Sequence, residues 1–230
     1  MFHPYAWVQG IFDDPLDGYK GPGGCCIWSQ EFYETDTTRG FVRGYTMEIT
    51  RGMGPVTTAL SGMAAGRIPW GPDHHRAYLE LFNRRAGMVM ICEDLPEAHN
   101  TVTLDRELVD SDGIPAPKVS YQVGENSRKM LDHAMARGSE VLQAAGAKQV
   151  DSHAPMPTAG WHLMGTAQMG TDPKTSVVNE WGRCHDVRNL FIVDGSIFVT
   201  SAGVNPTCTI QALALYIADS MKKNLANLFD

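Results

Sequence analysis

The sequence predicts a mixed α+β/α/β protein, an antiparallel sheet followed by one strand–loop–helix unit. Three observations predict it. Apolar and polar residues alternate through "FVRGYTMEIT" and again across the Asp-Gly turn of "DSDGIPAPKVSYQV". An amphipathic stripe of helical period runs from Ser127 to Ala145. Near the carboxyl end, the apolar "NLFIVDG" leads through a glycine-bearing loop into a second stripe of helical period.

Taken in order, residues 1–40 are rich in Gly, Pro and Asp ("DDPLDGYKGPGG") and read as irregular loop. In the next segment Phe41, Tyr45, Met47 and Ile49 share one face, with Gly44, Thr46, Glu48 and Thr50 opposite. That is a half-buried strand, with Arg43 on the wrong side. "GMVMICED" and "NTVTLDRELV" are further strands, and the Asp-Gly turn leads to another with Val119, Tyr121 and Val123 inward. One antiparallel sheet is expected across residues 40–123. The following helix places Leu131, Ala134, Gly138, Val141, Leu142 and Ala145 on its apolar stripe, with Gly146 just past its end. The almost wholly apolar "NLFIVDG" suits a strand buried on both faces of a parallel sheet. After the loop, Ile210, Leu213, Ala214, Ile217 and Met221 recur at helical spacing. Asn205 suits the N-cap, Pro206 the first helical residue, and Lys222 and Lys223 the carboxyl-terminal turn.

Composition narrows the function. A net charge of −7 with no dense run of Lys or Arg argues against nucleic acid. No apolar run reaches the roughly 18 residues of a membrane helix, and the amino-terminal residues have no secretory pattern. The five cysteines form no C-x-x-C pair, which argues against zinc and dithiol chemistry; reduced thiols favour a cytoplasmic location. The adjacent His74 and His75 cannot face one metal from a regular element, and no metal site is expected. His185 belongs to a structural turn.

Two loops carry candidate chemistry. The backbone N–H groups of Thr207, Cys208 and Thr209 open a helix, and with its dipole they favour an anion or developing negative charge. Asp194, ahead of that loop, suits a hydrogen-bond acceptor or turn cap, and an ordinary structural cap explains the same pattern. "GWHLMGTAQMGTDP" holds the lone His162 among three glycines. Histidine is the usual general base near neutral pH, although a lone loop histidine is often incidental.

In order and spacing, "HLMGTAQMGTDP", "SVVNEWGRCHDVRNLFIVDGSIF" and "TSAGVNPTCTIQALALYIAD" resemble the carboxyl-terminal signature of the glucose–methanol–choline (GMC) flavin oxidoreductases. The upstream "LDRELVDSDGIPAPKVSY" is similar to the strand–turn–strand of their sugar and polyol members. The resemblance covers essentially the whole chain, and its last seventy or so residues are the most specific. It implies FAD as cofactor and oxidation of a CH–OH group of a sugar, polyol or sugar acid. It implies His162 as the base that removes the alcohol proton, and Asn205 as the donor to the same substrate oxygen. Asp194 and Gly195 correspond to residues beside the ribityl-phosphate region, and Pro206 and Thr207, after Asn205, to backbone facing the flavin's N1 and C2 carbonyl. The electron acceptor, whether oxygen, a quinone or a redox protein, is left open.

The family's G-x-G-x-x-G unit, which binds the ADP part of FAD, is not found here, and "MFHPYAWVQG" resembles an internal stretch of longer members. The expected organisation is an irregular segment at 1–40, a substrate-binding domain at 41–160, and at 161–230 the catalytic loop with the carboxyl-terminal piece of a Rossmann-like FAD domain. An amino-terminal FAD domain is the implied partner. Two readings stay open: an oxidoreductase portion completed by that domain, and a non-catalytic or partner-dependent subunit that keeps the fold without flavin.

Overall fold

A computed structural model describes residues 1–21, 27–156 and 160–224. The vicinal Cys25 and Cys26, and the loop glycines at 23 and 24, lie outside them. The chain divides into two compact units, each assembled from separated stretches. One comprises the described residues of Tyr5–Cys92 and Lys129–Ala159; the other those of Met1–Pro4, Glu93–Arg128 and Gly160–Asp230.

The first unit is built on an antiparallel sheet. Its strands are β1 (Tyr5–Ile11), β2 (Trp28–Ser29), β3 (Tyr45–Thr50), β4 (Arg85–Cys92) and β7 (Gln149–His153), in the order β2-β3-β4-β1-β7. β1 is the first correction to the sequence reading, which expects irregular chain here. Ala6, Val8 and Gly10 are buried, and the strand pairs Tyr5 with Ile91 on one side and Trp7 with His153 on the other. Neither partner is near in sequence, so local pattern does not reveal the strand.

β4 reads as a continuous apolar run because both its faces are covered. On one face Tyr5, Val89 and Ile91 form a cluster backed by Trp7 and Met156. On the other lies the α3 helix (Glu125–Ala144), whose Gly138 sits so close to Met90 and Val8 that a Cβ there would lie 2.0 Å from the Met90 Cε. Burying each such Met, Val or Ile contributes about 1.5–3 kcal/mol. Of the expected stripe on α3, Leu131, Ala134, Gly138 and Leu142 are buried, whereas Val141 and Ala145 are exposed. Past its end, Gly146 (φ 94°) donates to Gln143 O and Ala147 N to Leu142 O, the paired bonds of a Schellman ending.

β3 begins at Tyr45 rather than Phe41, which resolves the misplaced Arg43. That residue has φ 69°, so the alternation starts only after it. Tyr45 and Met47 are buried as expected, and so is Thr46. The Tyr45 hydroxyl meets His133 Nδ1 at 2.8 Å inside an aromatic group with Phe32 and Phe41. Two helices lie between β3 and β4 in the chain: α1 (Pro55–Ala64), with Pro at its first position, and α2 (His74–Leu81).

In the second unit, β5 (Thr101–Val109) and β6 (Pro115–Ser120) form their own two-stranded ribbon, so residues 40–123 build two sheets, not one. The Asp-Gly turn forms as expected, with Gly113 at φ 81° and Asp110 Oδ1 accepting from Asp112 N and Ile114 N. Val119 is not inward. It is 67% exposed, as Leu104 is at 68%, because no layer among the described residues covers this ribbon.

The carboxyl-terminal segment differs most. Residues 190–193 do not form a parallel strand; Phe191 makes only an isolated antiparallel bridge to Arg183. The backbone bonds locally instead, Cys184 N to Leu190 O and Ile192 N to Gly182 O. A strand buried on both faces needs neighbours on both edges, and the described residues place none there. Leu190 and Val193 remain substantially exposed. Here the core is Val178, Cys184, Ile197 and Ile217, joined by Ile192, Leu213 and Met221. The last helix, α4 (Thr207–Lys223), supplies three of these at the expected spacing. No helix of the described residues is long and apolar enough to cross a membrane.

Candidate active site

The site is assembled wholly within the second unit. The loop after Gly160 carries His162, whose φ of 61° is uncommon outside glycine. Backbone held in a rare conformation marks a position where surroundings over-determine the chain, and such positions concentrate at functional sites. Those surroundings are visible. Met164 N donates to Met1 O at 2.9 Å, which lays the first residues alongside the loop. Gly165 N, Ala167 N and Met169 N then donate in turn to Gly195 O, Ser196 O and Ile197 O. This short ladder straps the loop to a 3₁₀ turn at Gly195–Ile197.

Two sequence-predicted residues hold that turn. Asp194 caps it, its Oδ1 accepting from Ser196 N at 2.8 Å. Gly195 is buried, and a Cβ there would meet Leu163 O at 2.9 Å, so only glycine allows the turn to approach the loop this closely. The structure thus gives Asp194 and Gly195 a local structural role.

Asn205 and Pro206 stand one position from where sequence placed them. The N-cap of α4 is Pro206, with Thr207 first in the helix, and no side chain caps it. The Asn205 side chain is therefore not spent on capping; it is exposed. Thr207, Cys208 and Thr209 are also exposed at the positive end of the helix. Val199, Ser201, Ala202, Thr209 and Leu213 line an adjoining, mainly apolar recess of about 280 Å³. Apolar walls beside free helix donors suit a flat ring system with an electron-rich edge.

His3 is a residue of this region that the sequence motifs do not mark. It is fully buried, and its Nδ1 lies 2.8 Å from His162 Nδ1 while its Nε2 contacts the carbonyl oxygen of Ala202. The two rings meet edge to face. One side chain thus bridges the loop of His162 and the loop that ends in Asn205. Desolvation by burial, then the neighbouring His162 ring, push the His3 pKa down to about 4; the Ala202 contact acts in the opposite sense. Burial also lowers that of His162. Both rings are neutral near pH 7. No local signal marks His3: it is a lone histidine before a proline, far in sequence from both loops.

A buried carboxylate fixes the same region. Asp94 accepts from the Tyr121 hydroxyl at 3.0 Å, from Ser127 Oγ at 2.9 Å, and from the Phe2 N–H next to His3. Ser201 Oγ donates to Asp94 O and accepts from Asp94 N, anchoring the residue before Ala202.

Two other histidines make local contacts. His185 Nε2 contacts Ser176 Oγ and Gly170 O within a turn, as expected. His74 Nδ1 contacts Pro69 O at the start of α2. Among the described residues no group of three His, Cys, Asp or Glu side chains is arranged to hold a metal.

The family model described as GMC oxidoreductase matches residues 96–214, and the chain belongs to that family. It is 41% identical over 216 residues to 2-methyl-1,2-propanediol dehydrogenase of Mycolicibacterium austroafricanum, covering 94% of this chain and 39% of that protein. It is 38% identical over 133 residues to the fructose dehydrogenase large subunit of Gluconobacter japonicus, covering 58% of this chain and 24% of that one. A formate oxidase crystal structure shares the fold, with a TM-score of 0.62 at 13% identity over all of this chain and 47% of that one. The chain therefore spans less than half the length of these relatives.

Proposed function

We propose that this chain forms the catalytic wall of an FAD-dependent oxidoreductase acting on a CH–OH group of a sugar, polyol or sugar acid. The observation that carries the reading is the His3 bridge, which ties His162 to the loop leading to Asn205. The similarity to a diol dehydrogenase and a fructose dehydrogenase subunit supports the substrate class.

FAD, when bound, supplies the acceptor for the hydride. The exposed N–H groups of Thr207, Cys208 and Thr209 and the adjoining apolar recess fit its ring end, with Asp194, Gly195, Pro206 and Thr207 alongside. His162, neutral near pH 7, takes the substrate's hydroxyl proton, and the Asn205 amide donates to the oxygen as negative charge grows there. Residues for the ADP end come from an amino-terminal FAD domain, since no G-x-G-x-x-G opens a helix in this sequence. That same feature supports a second reading, a partner-dependent subunit that keeps the fold without flavin; the visible spectrum of the purified protein separates the two.

The test is steady-state kinetics of a flavin-loaded enzyme carrying this sequence. His162→Ala should lower kcat by roughly 10²–10⁴, and Asn205→Ala by less. Near-full kcat in the His162→Ala enzyme would remove His162 from the mechanism.

A further inference from the structure

We propose that Arg85 and Thr50 form a binding site for a small organic carboxylate, in a cavity of the first unit. The residues lining that cavity run from Leu16 to Ala86 in the chain, so the site does not depend on the role given to His162.

The sheet brings the two side chains to one face. Thr50 on β3 pairs directly with Gly87 on β4, and Arg85 stands two residues before Gly87 on the same strand. Residues two apart on a strand share a face, so Arg85 and Thr50 do. Both line a cavity of about 300 Å³ whose other walls include Leu16, Ile27, Ile49 and Ala86. Two glycines let backbone pass close to backbone beside it. A Cβ on Gly18 would lie 2.9 Å from Gly52 N, and one on Gly52 would lie 3.2 Å from Arg85 O.

Both polar groups lack a partner among the described residues. Arg85 is only 6% exposed, and its Nε and Nη2 are buried with no hydrogen-bond acceptor. Thr50 Oγ1 is likewise buried and unpaired. The Nε–H and Nη2–H bonds run parallel along one edge of the guanidinium, the fork that grips both oxygens of a carboxylate. Asp151, the carboxylate that favours the Arg85 charge, is committed elsewhere. Arg67 Nη2 lies 2.5 Å from its Oδ2, and Gln149 Nε2 donates to its Oδ1. Burial, then the positive Arg67, work against the Arg85 charge. Buried polar groups are nearly always satisfied, so a guanidinium edge and a hydroxyl left over on one face call for an acceptor.

A carboxylate supplies it. Its oxygens accept from the Arg85 fork, the Thr50 hydroxyl donates to one of them, and its charge offsets that of Arg85 and Arg67. Arg51, whose Nη2 donates to Lys20 O, adds positive charge at the cavity wall. The apolar walls fit a short hydrocarbon body behind the carboxylate, whereas a polyhydroxylated one would leave hydroxyls against them without partners. The Nε and Nη2 edge is shut off from solvent, so binding turns the guanidinium toward the cavity. That turn breaks no hydrogen bond of either nitrogen to a described residue.

The test uses this chain with sodium isobutyrate as probe, its neutral isostere isobutyramide, and sodium chloride at matched ionic strength. Isobutyrate should shift the Arg85 Nε–H resonance saturably in ¹H–¹⁵N spectra and raise the urea midpoint, and the other two should do neither. Arg85→Met should weaken isobutyrate binding at least about tenfold, the worth of one hydrogen bond to a charged group, and Thr50→Val should weaken it less. Without isobutyrate, Arg85→Met should keep or raise the urea midpoint, because it removes a buried charge that no described residue satisfies. A large fall in that midpoint would show that the fold itself holds the guanidinium, and would overturn the site. So would an Arg85→Met midpoint that responds to isobutyrate as the unsubstituted chain does. On the unsubstituted chain alone, no response to isobutyrate, or an equal response to isobutyramide, would overturn it whatever the variants do. Tighter binding of inorganic phosphate than of isobutyrate would overturn the carboxylate assignment.

Discussion

His3 Nδ1 and His162 Nδ1 lie 2.8 Å apart, although 159 positions separate them in the chain. Through its other nitrogen His3 reaches Ala202, so a single buried ring joins the first residues to both loops of the candidate site. Stability and site geometry are thus coupled through one side chain.

The first prediction concerns pH. His3 takes up its proton near pH 6.5 in an unfolded chain and near pH 4 in the folded one. Between those values the unfolded state holds more protons, so stability falls as pH falls through this window. The loss saturates near pH 4 at roughly 3 kcal/mol. Urea midpoints of the wild type and His3→Leu, compared at about pH 7.5 and about pH 4.5, cancel the carboxylates common to both. The wild type should lose more stability over that interval; equal losses would mean that His3 does not titrate as a buried neutral ring.

Gly44 should be intolerant of any side chain. A Cβ there would lie 2.1 Å from Tyr33 O and 2.2 Å from Phe32 O, both backbone atoms that cannot swing aside. Moving that segment also breaks the bond from Tyr45 N to Phe32 O. Gly44→Ala should cost at least about 2 kcal/mol, in the upper range of overpacking. Gly160→Ala, with nothing among the described residues within 4 Å of the added methyl, should stay within about 0.5 kcal/mol. Thermal denaturation of both variants checks the contrast.

The Asp94 anchor should be expensive to remove. Asp94→Ala leaves the hydroxyls of Tyr121 and Ser127 without their acceptor, at roughly 1–3 kcal/mol each. Ser201→Ala should cost about 1–3 kcal/mol and speed amide exchange at Asp94, whose N–H loses its partner. Denaturant titration with hydrogen exchange reads both, and an unchanged Asp94 exchange rate would contradict the anchor.

Thiol labelling should separate two cysteines. Cys92 is completely buried, and burial raises its pKa far above the usual thiol range. Cys208 is exposed in the first turn of α4. Brief native-state iodoacetamide treatment followed by peptide mass spectrometry should find Cys208 modified and Cys92 intact until denaturant is added. Rapid native labelling of Cys92 would show that the β4 core opens easily.

Elements whose cause is local were legible in the sequence. The period of α3 and α4, the glycine that ends α3, and the Asp-Gly turn between β5 and β6 each depend on neighbours a few residues away. Asp194 as a turn cap belongs to the same group. Asn205 at the helix start was displaced by one residue, because Pro206 takes the cap position and leaves the Asn205 amide exposed. The ordered motifs from His162 onward placed the chain in its family, since their spacing can be read without coordinates.

What pairs across long separations was decided only by tertiary structure. β1 looks irregular by itself and becomes a strand because β4 and β7 supply hydrogen-bond partners on both edges. Residues 190–193 show the converse, an apolar run that reads as a buried strand yet makes a single bridge for want of neighbours. His3 carries no local mark, and its meaning comes wholly from the ring and carbonyl that folding brings against it. Sequence determines what a segment prefers. A strand's edges and a buried ring's partners are set by groups that only the folded chain puts within hydrogen-bonding distance.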